Sequence, residues 1–573
     1  MKRVLLTIVC MGAGCALFAQ NAQSQNQNEV VEEEIELPDV TTVVNGKTFT
    51  AGKDSVPDYT KILPENSAPE IQLPELEGVK TTKELPELRE RSAQTEKDIY
   101  AEGELGAGYP FYFKGDFSIY RASGNSPFEI DFSHESSEGF AEKKASEGFF
   151  VRNTAVRGEK SLFTTHGTHV IEGEYKTSDD GLQLNSDSYS DMVKHTISAK
   201  AGSDWHLDNG ILISYGADGA WFNRYGEIMK ESVKSGDFID STKILDINPF
   251  FGFGWQGSGF KAMFTALYSL QANLEENDNL YKADGSSSAE GTHRGQFSLG
   301  LSWKNDFIAL GADGSLIVGT ATGSKDVVPA FALSVDFKTE SFTDGRYITI
   351  STKGGLDSYQ EKIRNLENKF RFAAIPCLPT ETTDWFTDVE LSVPILTAFE
   401  AKAGVAFRKT AFENGVWTVQ YADDYFYPIL DPDGATVHSS GLYQIESEER
   451  TEFNTNLGFY ADFASLKASA VWASYWKSVP ALTDEQNITL KLEYQTLDAK
   501  WNAGTSTAFA FGGDADTCPN ISGWAGIRLA SALSVAFELN DVIKLFGRES
   551  REYAHSKYIT TSGNAVLLVK FQF

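Results

Sequence analysis

Long apolar runs are missing from this sequence of 573 residues. After the first 20 residues, no stretch reaches the roughly 18 consecutive apolar residues that a membrane-spanning helix requires. Helical periodicity is also scarce, because apolar residues spaced at i, i+3 and i+4 recur mainly in the segment 359–370. These two absences argue against a helical membrane protein.

Positive charge is scarce as well. The chain has 50 lysines and arginines against 80 aspartates and glutamates, which gives a formal net charge of -30. Because phosphate contacts require clustered lysine and arginine, this charge contradicts a nucleic-acid partner. The glycine-rich phosphate-binding motif of nucleotide-binding loops is also missing.

Complete catalytic and metal-binding motifs are missing too. His166 and His169 lie in a stretch like the histidine motif of subtilisin-like proteases, but the upstream aspartate element and a serine opening a helix are not there. The two histidines have no third ligand at a convincing spacing. The acidic stretches 431–434 and 514–516 lack a complete calcium loop. We therefore expect no enzyme activity, no cofactor and no metal site.

The N-terminus has the pattern of an export signal. Lys2 and Arg3 precede an apolar stretch at 4–18, and Ala19 offers a small residue for cleavage. We therefore predict a signal peptide over residues 1–19, with a loose lipoprotein site at Cys15 as the alternative.

Cysteine is rare, with only four in the chain. Cleavage of the signal peptide removes Cys10 and Cys15, leaving Cys377 and Cys518 in the exported protein. Two cysteines in an exported chain are candidates for one disulfide, and two free or shielded thiols are the alternative.

Residues 20–98 differ in composition from the rest of the chain. Between residues 21 and 98 there are 17 acidic residues, 8 basic residues and 6 prolines. Proline with flanking charge favours an extended, solvated chain that cannot form a packed core. We predict a disordered acidic segment here, with a periplasmic protein as a possible partner.

From Ile99 onward, apolar and polar residues alternate in short runs. In 297–303, phenylalanine, leucine, leucine and tryptophan alternate with serine and glycine, and 453–460 and 488–495 follow the same period of two. This period is typical of β-strands with two different faces. We interpret residues 99–573 as antiparallel β-structure.

The connections between these strands alternate in length. Short turns are predicted at 208–210, 256–258, 304–305, 413–415, 462–464 and 531–532, and long polar loops at 177–193, 222–244, 271–292, 354–387, 424–451, 476–487 and 547–563. Transmembrane barrels keep short turns at one end and long loops at the other. We predict a closed up-and-down barrel of about 22 strands (range 18–24) over residues 99–573, in which 389–408 is one long strand and the last strand pairs with the first near Ile99.

Charged residues on the strands should point into the barrel, because a charge facing lipid costs up to a few kcal/mol at mid-membrane. The candidate lumen-lining residues are therefore the charged Glu400, Lys402, Arg408, Lys491, Glu493 and Lys570, together with the polar Gln572 on the same face as Lys570.

The chain ends in a strand whose alternate residues Val569, Phe571 and Phe573 are apolar, with phenylalanine last. This strand resembles the C-terminal insertion signal of bacterial outer-membrane β-barrels. The resemblance implies residence in the outer membrane of a diderm bacterium, with lipid and the barrel-assembly machinery as partners.

Two segments are similar to those of TonB-dependent receptors, which have 22-stranded barrels. One is the closing stretch 539–573, with the element NDVIKLF at 540–546. The other is a weak TonB-box-like segment formed by Asp39, Val40, Thr41, Thr42 and Val43, which would bind a periplasmic partner as an added strand. Those receptors carry a plug of over 100 residues, whereas only about 55 residues separate Val44 from the first strand.

Three functions are compatible with these features. The first is an outer-membrane channel or transporter for small solutes. The second is a surface-exposed structural or interaction protein whose N-terminal tail binds a periplasmic partner. The third is a receptor-like protein similar to TonB-dependent receptors but without a full plug.

Overall fold

The computed structural model describes residues 99–140, 142–228, 241–274, 290–323, 326–339, 346–412, 415–421, 426, 428–430, 437–512, 516–561 and 563–573. The predicted signal peptide 1–19 and the acidic segment 20–98, with Asp39–Val43, lie outside the described residues. So do the acidic stretch 431–434 and residues 514 and 515 of the other acidic stretch.

The described residues form 27 strands. Their bounds are β1 Tyr100–Tyr109, β2 Tyr112–Arg121, β3 Phe128–Glu138, β4 Phe150–Phe163, β5 Gly167–Gly181, β6 Tyr189–His206, β7 Ile211–Ile228, β8 Ser241–Gly257, β9 Phe260–Asn273, β10 Gly291–Lys304, β11 Ile308–Val318, β12 Val327–Lys338, β13 Thr349–Gln360, β14 Ala373–Ala374, β15 Glu381–Leu396, β16 Phe399–Thr410, β17 Val416–Val419, β18 Pro428–Leu430, β19 Val437–Ser439, β20 Tyr443–Glu448, β21 Thr451–Asp462, β22 Leu466–Lys477, β23 Gln486–Gln495, β24 Trp501–Phe511, β25 Asn520–Ala530, β26 Leu533–Asn540 and β27 Asn564–Gln572.

Helices are few and short. Among the described residues, the α-helices are α1 Ile363–Lys369 and α2 Val542–Gly547, and single 3-10 turns occur at Ala145–Glu147 and Thr320–Thr322. Within the described part of the chain, none of the helices has the length and apolar character needed to cross a membrane.

Twenty-two of the strands close into one antiparallel barrel. These strands are β1–β13, β15, β16 and β21–β27, and each pairs with the next barrel strand along the chain. The last strand pairs with the first, with Leu105 opposite Val569, so that the sheet has no free edge. The predicted strand number, the closure and the first strand near Ile99 are confirmed.

The two faces of the wall differ as the alternation predicts. On β10, Phe297, Leu299 and Leu301 are 50%, 51% and 40% exposed on the outer face. Their neighbours Ser298 and Gly300 point the other way. An apolar outer face and a polar inner face are typical of a barrel that lies in lipid.

The two ends of the barrel differ in their connections. One end, here called the turn end, contains Tyr100, Phe573 and the short connections, such as 207–210, 258–259 and 531–532. The opposite end, here called the loop end, has longer connections, including 361–380, 411–450 and 541–563.

The prediction for 389–408 is wrong. This segment contains the end of β15, a two-residue turn at 397–398 and most of β16, and the pairing register shifts beside Pro394. The tight turn predicted at 413–415 lies instead within the long connection 411–450. One turn was missed at 397–398 and one was wrongly placed at 413–415, so the number of strands is unchanged. Every other connection therefore lies at the end of the barrel that was predicted for it.

The main apolar core lies at the loop end, where it includes the wall residues Tyr189, Phe222 and Ile244. It joins residues of the three long connections, including Phe372, Tyr443 and Tyr558, which are nearly inaccessible to solvent. The rings of Phe372 and Tyr558 stack with their centroids 3.7 Å apart. Short strand pairs add to this layer, since β20 pairs with both β14 and β17.

Candidate functional site

The connection 361–380, here called the inner loop, contacts the inner wall of the barrel near its loop end. It begins where the hairpin of β13 and β15 extends beyond β12. The strand β12 pairs with β13 only as far as Leu356, whereas β15 pairs with β13 as far as Gln360. The inner loop contains α1, whose Ile363 and Leu366 are buried in the loop-end core. The predicted helical segment 359–370 is therefore a short helix inside a loop.

A fully buried ion pair joins the inner loop to the strand β7 of the wall. Glu367 of α1 lies 2.8 Å from Arg224 of β7, measured from Oε2 to Nε, and both side chains are 0% exposed. Glu367 Oε1 accepts a hydrogen bond from the backbone N–H of Ile375, and Lys194 of β6 donates to the Glu367 carbonyl oxygen. Because charges are costly to bury unless they are paired, this contact fixes the loop against the wall.

Further ion pairs extend this attachment along the wall. Asp246 of β8 lies 3.1 Å from Arg364 and 3.9 Å from Lys362. At the other end of the inner loop, Arg371 pairs with Asp180 of β5 at 2.5 Å. The polar contacts of the loop with the wall therefore come from its cations and Glu367, while the wall supplies the carboxylates Asp180 and Asp246 and the cations Arg224 and Lys194.

The hairpin that carries the inner loop is held in the same way. Arg294 of β10 donates two hydrogen bonds of 2.9 Å to the two carboxylate oxygens of Glu381 on β15. Ser358 of β13 donates to the same carboxylate at 2.9 Å. Since β10 and β15 are not neighbours in the sheet, this contact is made by the part of the hairpin that extends beyond β12.

Burial shifts the ionisation of groups in the inner loop. Burial raises the pKa of Glu361 to about 7, with Lys369 acting in the opposite direction. Burial also lowers the pKa values of Lys362 and Lys369. The inner loop thus contains a carboxylate that changes charge near neutral pH.

The seven candidate lumen-lining residues lie on one face of the sheet, opposite the face of the exposed apolar residues. The pairing register connects Glu400 to Tyr460, Tyr460 to Ser469 and Ser469 to Lys491, which places these side chains on one side of the sheet. Most of the seven form ion pairs there: Lys402 with Glu400 at 3.0 Å, Arg408 with Asp388 at 3.6 Å, Lys491 with Glu493 at 2.5 Å and Lys570 with Glu104 at 2.5 Å. Gln572 lies opposite Glu102 on the same side of the sheet as Lys570.

The other predicted residues fall in three places. Val569, Phe571 and Phe573 belong to the outward set of the last strand, with Phe573 exposed. Cys377 lies in the inner loop and Cys518 in the loop-end connection 512–519, and both are free thiols, so the candidate disulfide is not formed. Burial raises the pKa of Cys377 to about 12, which makes this thiol unreactive.

Sequence reasoning missed the residues that attach the inner loop. Arg224, Asp246 and Arg294 occupy inner-face positions of alternating strands, and that alternation was their only signal. Their partners are distant in the chain: Glu367 is 143 residues from Arg224. No local pattern connects such positions. The described residues contain no cluster of three metal-ligating side chains.

The sequence matches no protein-family model and no curated protein. Among solved structures, the chain is similar to the siderophore receptor PirA from Acinetobacter baumannii, with a TM-score of 0.61 and 8% identity over 84% of this chain and 81% of that one. The FrpB iron transporter from Neisseria meningitidis has a TM-score of 0.60 at 8% identity, over 84% and 83%. A mutant of the ferric enterobactin receptor PfeA from Pseudomonas aeruginosa has a TM-score of 0.58 at 10% identity, over 84% of this chain and 81% of that one. The likeness is one of fold.

Proposed function

We propose that this protein is an outer-membrane channel or transporter for small solutes, with the barrel interior as the solute route and the inner loop as its gate. The observation that carries the proposal is the fully buried contact between Glu367 and Arg224, which ties a loop to the inner wall of a closed barrel. The apolar outer face and the aromatic C-terminal strand support residence in lipid, where such barrels are inserted by the assembly machinery.

The gate follows from the energetics of the buried charges. Replacing one partner of a buried pair leaves the other charge uncompensated, which costs about 3–5 kcal/mol. The favourable alternative is for the helix α1 to leave the wall, so that Arg224 becomes hydrated. Since Ile363, Leu366 and Phe372 also hold the inner loop in the loop-end core, breaking the ion pair favours displacement of the helix α1 from the wall rather than loss of the whole loop.

The test is conductance of the purified full-length protein in planar bilayers. The variant Glu367→Gln should show larger or more frequent conductance steps than the unaltered protein, because its helix α1 is released from the wall. Asp208→Asn is the matched control: it removes a carboxylate that is 95% exposed at the turn end, far along the chain from the inner loop. Absence of single-channel steps in both the unaltered protein and the Glu367→Gln variant would contradict the proposal.

The N-terminal segment provides a second, separable proposal. Asp39–Val43 would recruit a periplasmic protein, either to supply energy for uptake, as in a receptor-like protein without a full plug, or to anchor a surface protein. Supporting it are the acidic residue followed by β-forming residues and the 17 acidic residues of the segment. Deletion of 39–43 should remove a periplasmic protein that is cross-linked to the intact chain, while conductance stays unchanged.

A further inference from the structure

A cavity of about 380 Å³ lies at the turn end, where the last strand pairs with the first. It is lined by residues of β25, β26, β27, β1 and β2 and by the turn 531–532. Its volume is within the range of sites that bind small molecules. Solvent reaches its walls, since the side chain of Lys570 is 48% exposed and that of Asp116 is 41% exposed. We call this space the turn-end cavity.

One row of residues crosses the five strands of the turn-end cavity at the same height. The pairing register places Arg528 opposite Ser534, Ser534 opposite Lys570, Lys570 opposite Glu104 and Glu104 opposite Asp116. Residues that are directly opposite each other on paired strands lie on the same face of the sheet. The row therefore begins with two cations and ends with two carboxylates, which gives the turn-end cavity a positive side and a negative side.

The charges in the middle of the row neutralise one another. The Lys570 ammonium lies 2.5 Å from one carboxylate oxygen of Glu104, and the Lys114 ammonium lies 2.8 Å from the other. Lys114 also lies 3.1 Å from Oδ2 of Asp116. These contacts leave the two ends of the row as the places where a charged ligand can bind.

Each end of the row has atoms that are available to a ligand. At the positive end, the Arg528 guanidinium has no hydrogen-bond or ion-pair partner among the described residues. Because the guanidinium group presents its N–H donors in a fork that matches a carboxylate, this end favours a carboxylate ligand. At the negative end, Oδ1 of Asp116 has no partner among the described residues, and Glu102 adds a second carboxylate to the lining. This end favours an ammonium group.

Uncharged polar side chains lie between the two ends. Ser534, Ser118 and Gln572 line the turn-end cavity. Their hydroxyl and amide groups can donate hydrogen bonds to carbonyl oxygens and accept them from N–H groups. A peptide with free termini has a carboxylate, an ammonium group, carbonyl oxygens and N–H groups in one molecule.

The length of the row limits the size of the ligand. Arg528 lies three strands from β1, which is about 14 Å along the wall at about 4.8 Å per strand. Both side chains extend from a curved wall into the turn-end cavity, so their charged groups are closer together than their backbones. In a single amino acid only one carbon atom separates the two charged groups, whereas three extended residues span about 10 Å. The length therefore favours peptides of about three residues over single amino acids.

We propose that the turn-end cavity binds short zwitterionic peptides of about three residues. This inference rests on the proposed transport function, because it names the solute class for one end of the same interior. The peptide carboxylate pairs with Arg528, and the peptide ammonium group pairs with Asp116 and Glu102.

The test measures binding rather than transport. Equilibrium dialysis of radiolabelled triglycine is performed with the full-length protein in a non-ionic detergent at low salt. The variant Arg528→Gln removes the free cation, so it should weaken triglycine binding about tenfold or more. Arg548→Gln is the matched control, because it makes the same change at an exposed arginine of the loop-end connection 541–563 whose side chain has no partner among the described residues.

Blocked peptides separate the two ends of the row. N-acetyltriglycine keeps the carboxylate and triglycine amide keeps the ammonium group, so each should bind about tenfold or more weakly than triglycine. Asp116→Asn should weaken the binding of triglycine and of triglycine amide. It should leave the binding of N-acetyltriglycine unchanged, because that peptide has no ammonium group.

Each outcome decides the inference. Triglycine binding that is weakened in Arg528→Gln and retained in Arg548→Gln supports it. Equal binding by all three proteins, binding of glycine or acetate as tight as that of triglycine, or no triglycine binding overturns it. If Arg528→Gln loses heat-modifiable migration and does not fold, Asp116→Asn replaces it with the same expectation. Triglycine binding without conductance would refute the channel and leave the peptide site standing, whereas conductance without triglycine binding would refute only the peptide site.

Discussion

At the scale of single residues, the buried pair Arg294–Glu381 should dominate the stability of the loop end. Arg294 is 1% exposed and Glu381 is buried, and two hydrogen bonds join them. Glu381→Gln leaves the guanidinium without its counter-charge, so we expect a loss of about 3–5 kcal/mol in the free energy of unfolding. The measurement is urea unfolding in detergent, followed by heat-modifiable migration on gels.

The matched controls separate burial from charge. Glu174 pairs with Lys176, whose side chain is 55% exposed, so Glu174→Gln should cost less than about 1 kcal/mol. The double variant Arg294→Met with Glu381→Leu should recover most of the loss, because no unpaired charge remains. Similar losses for Glu381→Gln and Glu174→Gln would mean that the buried pair has no special role.

At the scale of elements, the inner loop should be attached more weakly in alkaline solution. Burial raises the pKa of Glu361 to about 7 in the folded protein, above the ordinary value of 4.5 for a glutamate. Because the folded loop holds the Glu361 proton more tightly than the unfolded loop does, the protonated carboxyl group favours the folded loop at low pH. This contribution to the free energy of unfolding is lost as the pH rises from about 4.5 through 7. After correction for intrinsic exchange rates, the amides of 361–380 should therefore be less protected at pH 8 than at pH 6.

The variant Glu361→Gln isolates this effect. Because glutamine does not ionise, the difference in exchange of 361–380 between pH 6 and pH 8 should largely disappear after correction for intrinsic rates. Asp208→Asn, at an exposed turn, should keep the difference. A Glu361→Gln protein with an unchanged pH response would show that another group controls the loop.

The elements also show which parts of the fold could be predicted from the sequence. The period of two locates the strands because lipid and lumen impose opposite polarity on alternate residues. It does not locate a turn of two residues within an uninterrupted alternation, and so 397–398 was missed. Asn414-Gly415 has the composition of a hairpin turn, but tertiary packing places Gly415 within the long connection 411–450. The attachment of the inner loop depends on contacts such as Glu367–Arg224, which no local pattern encodes.

At the scale of the whole molecule, an even number of strands places the first and the last residue of the barrel, Tyr100 and Phe573, at the same end, which is the turn end. If that end faces the periplasm, the loop-end residue Leu184, which is 70% exposed, lies outside the cell. A membrane-impermeant maleimide should therefore label Leu184→Cys on intact cells. It should label Asp208→Cys, at the turn end, only after the cells are disrupted. Cys518→Ser serves as the background, since Cys518 lies in a loop-end connection and Cys377 is buried. The reverse labelling pattern would invert the orientation and, with it, the assignment of the inner loop as an outer gate.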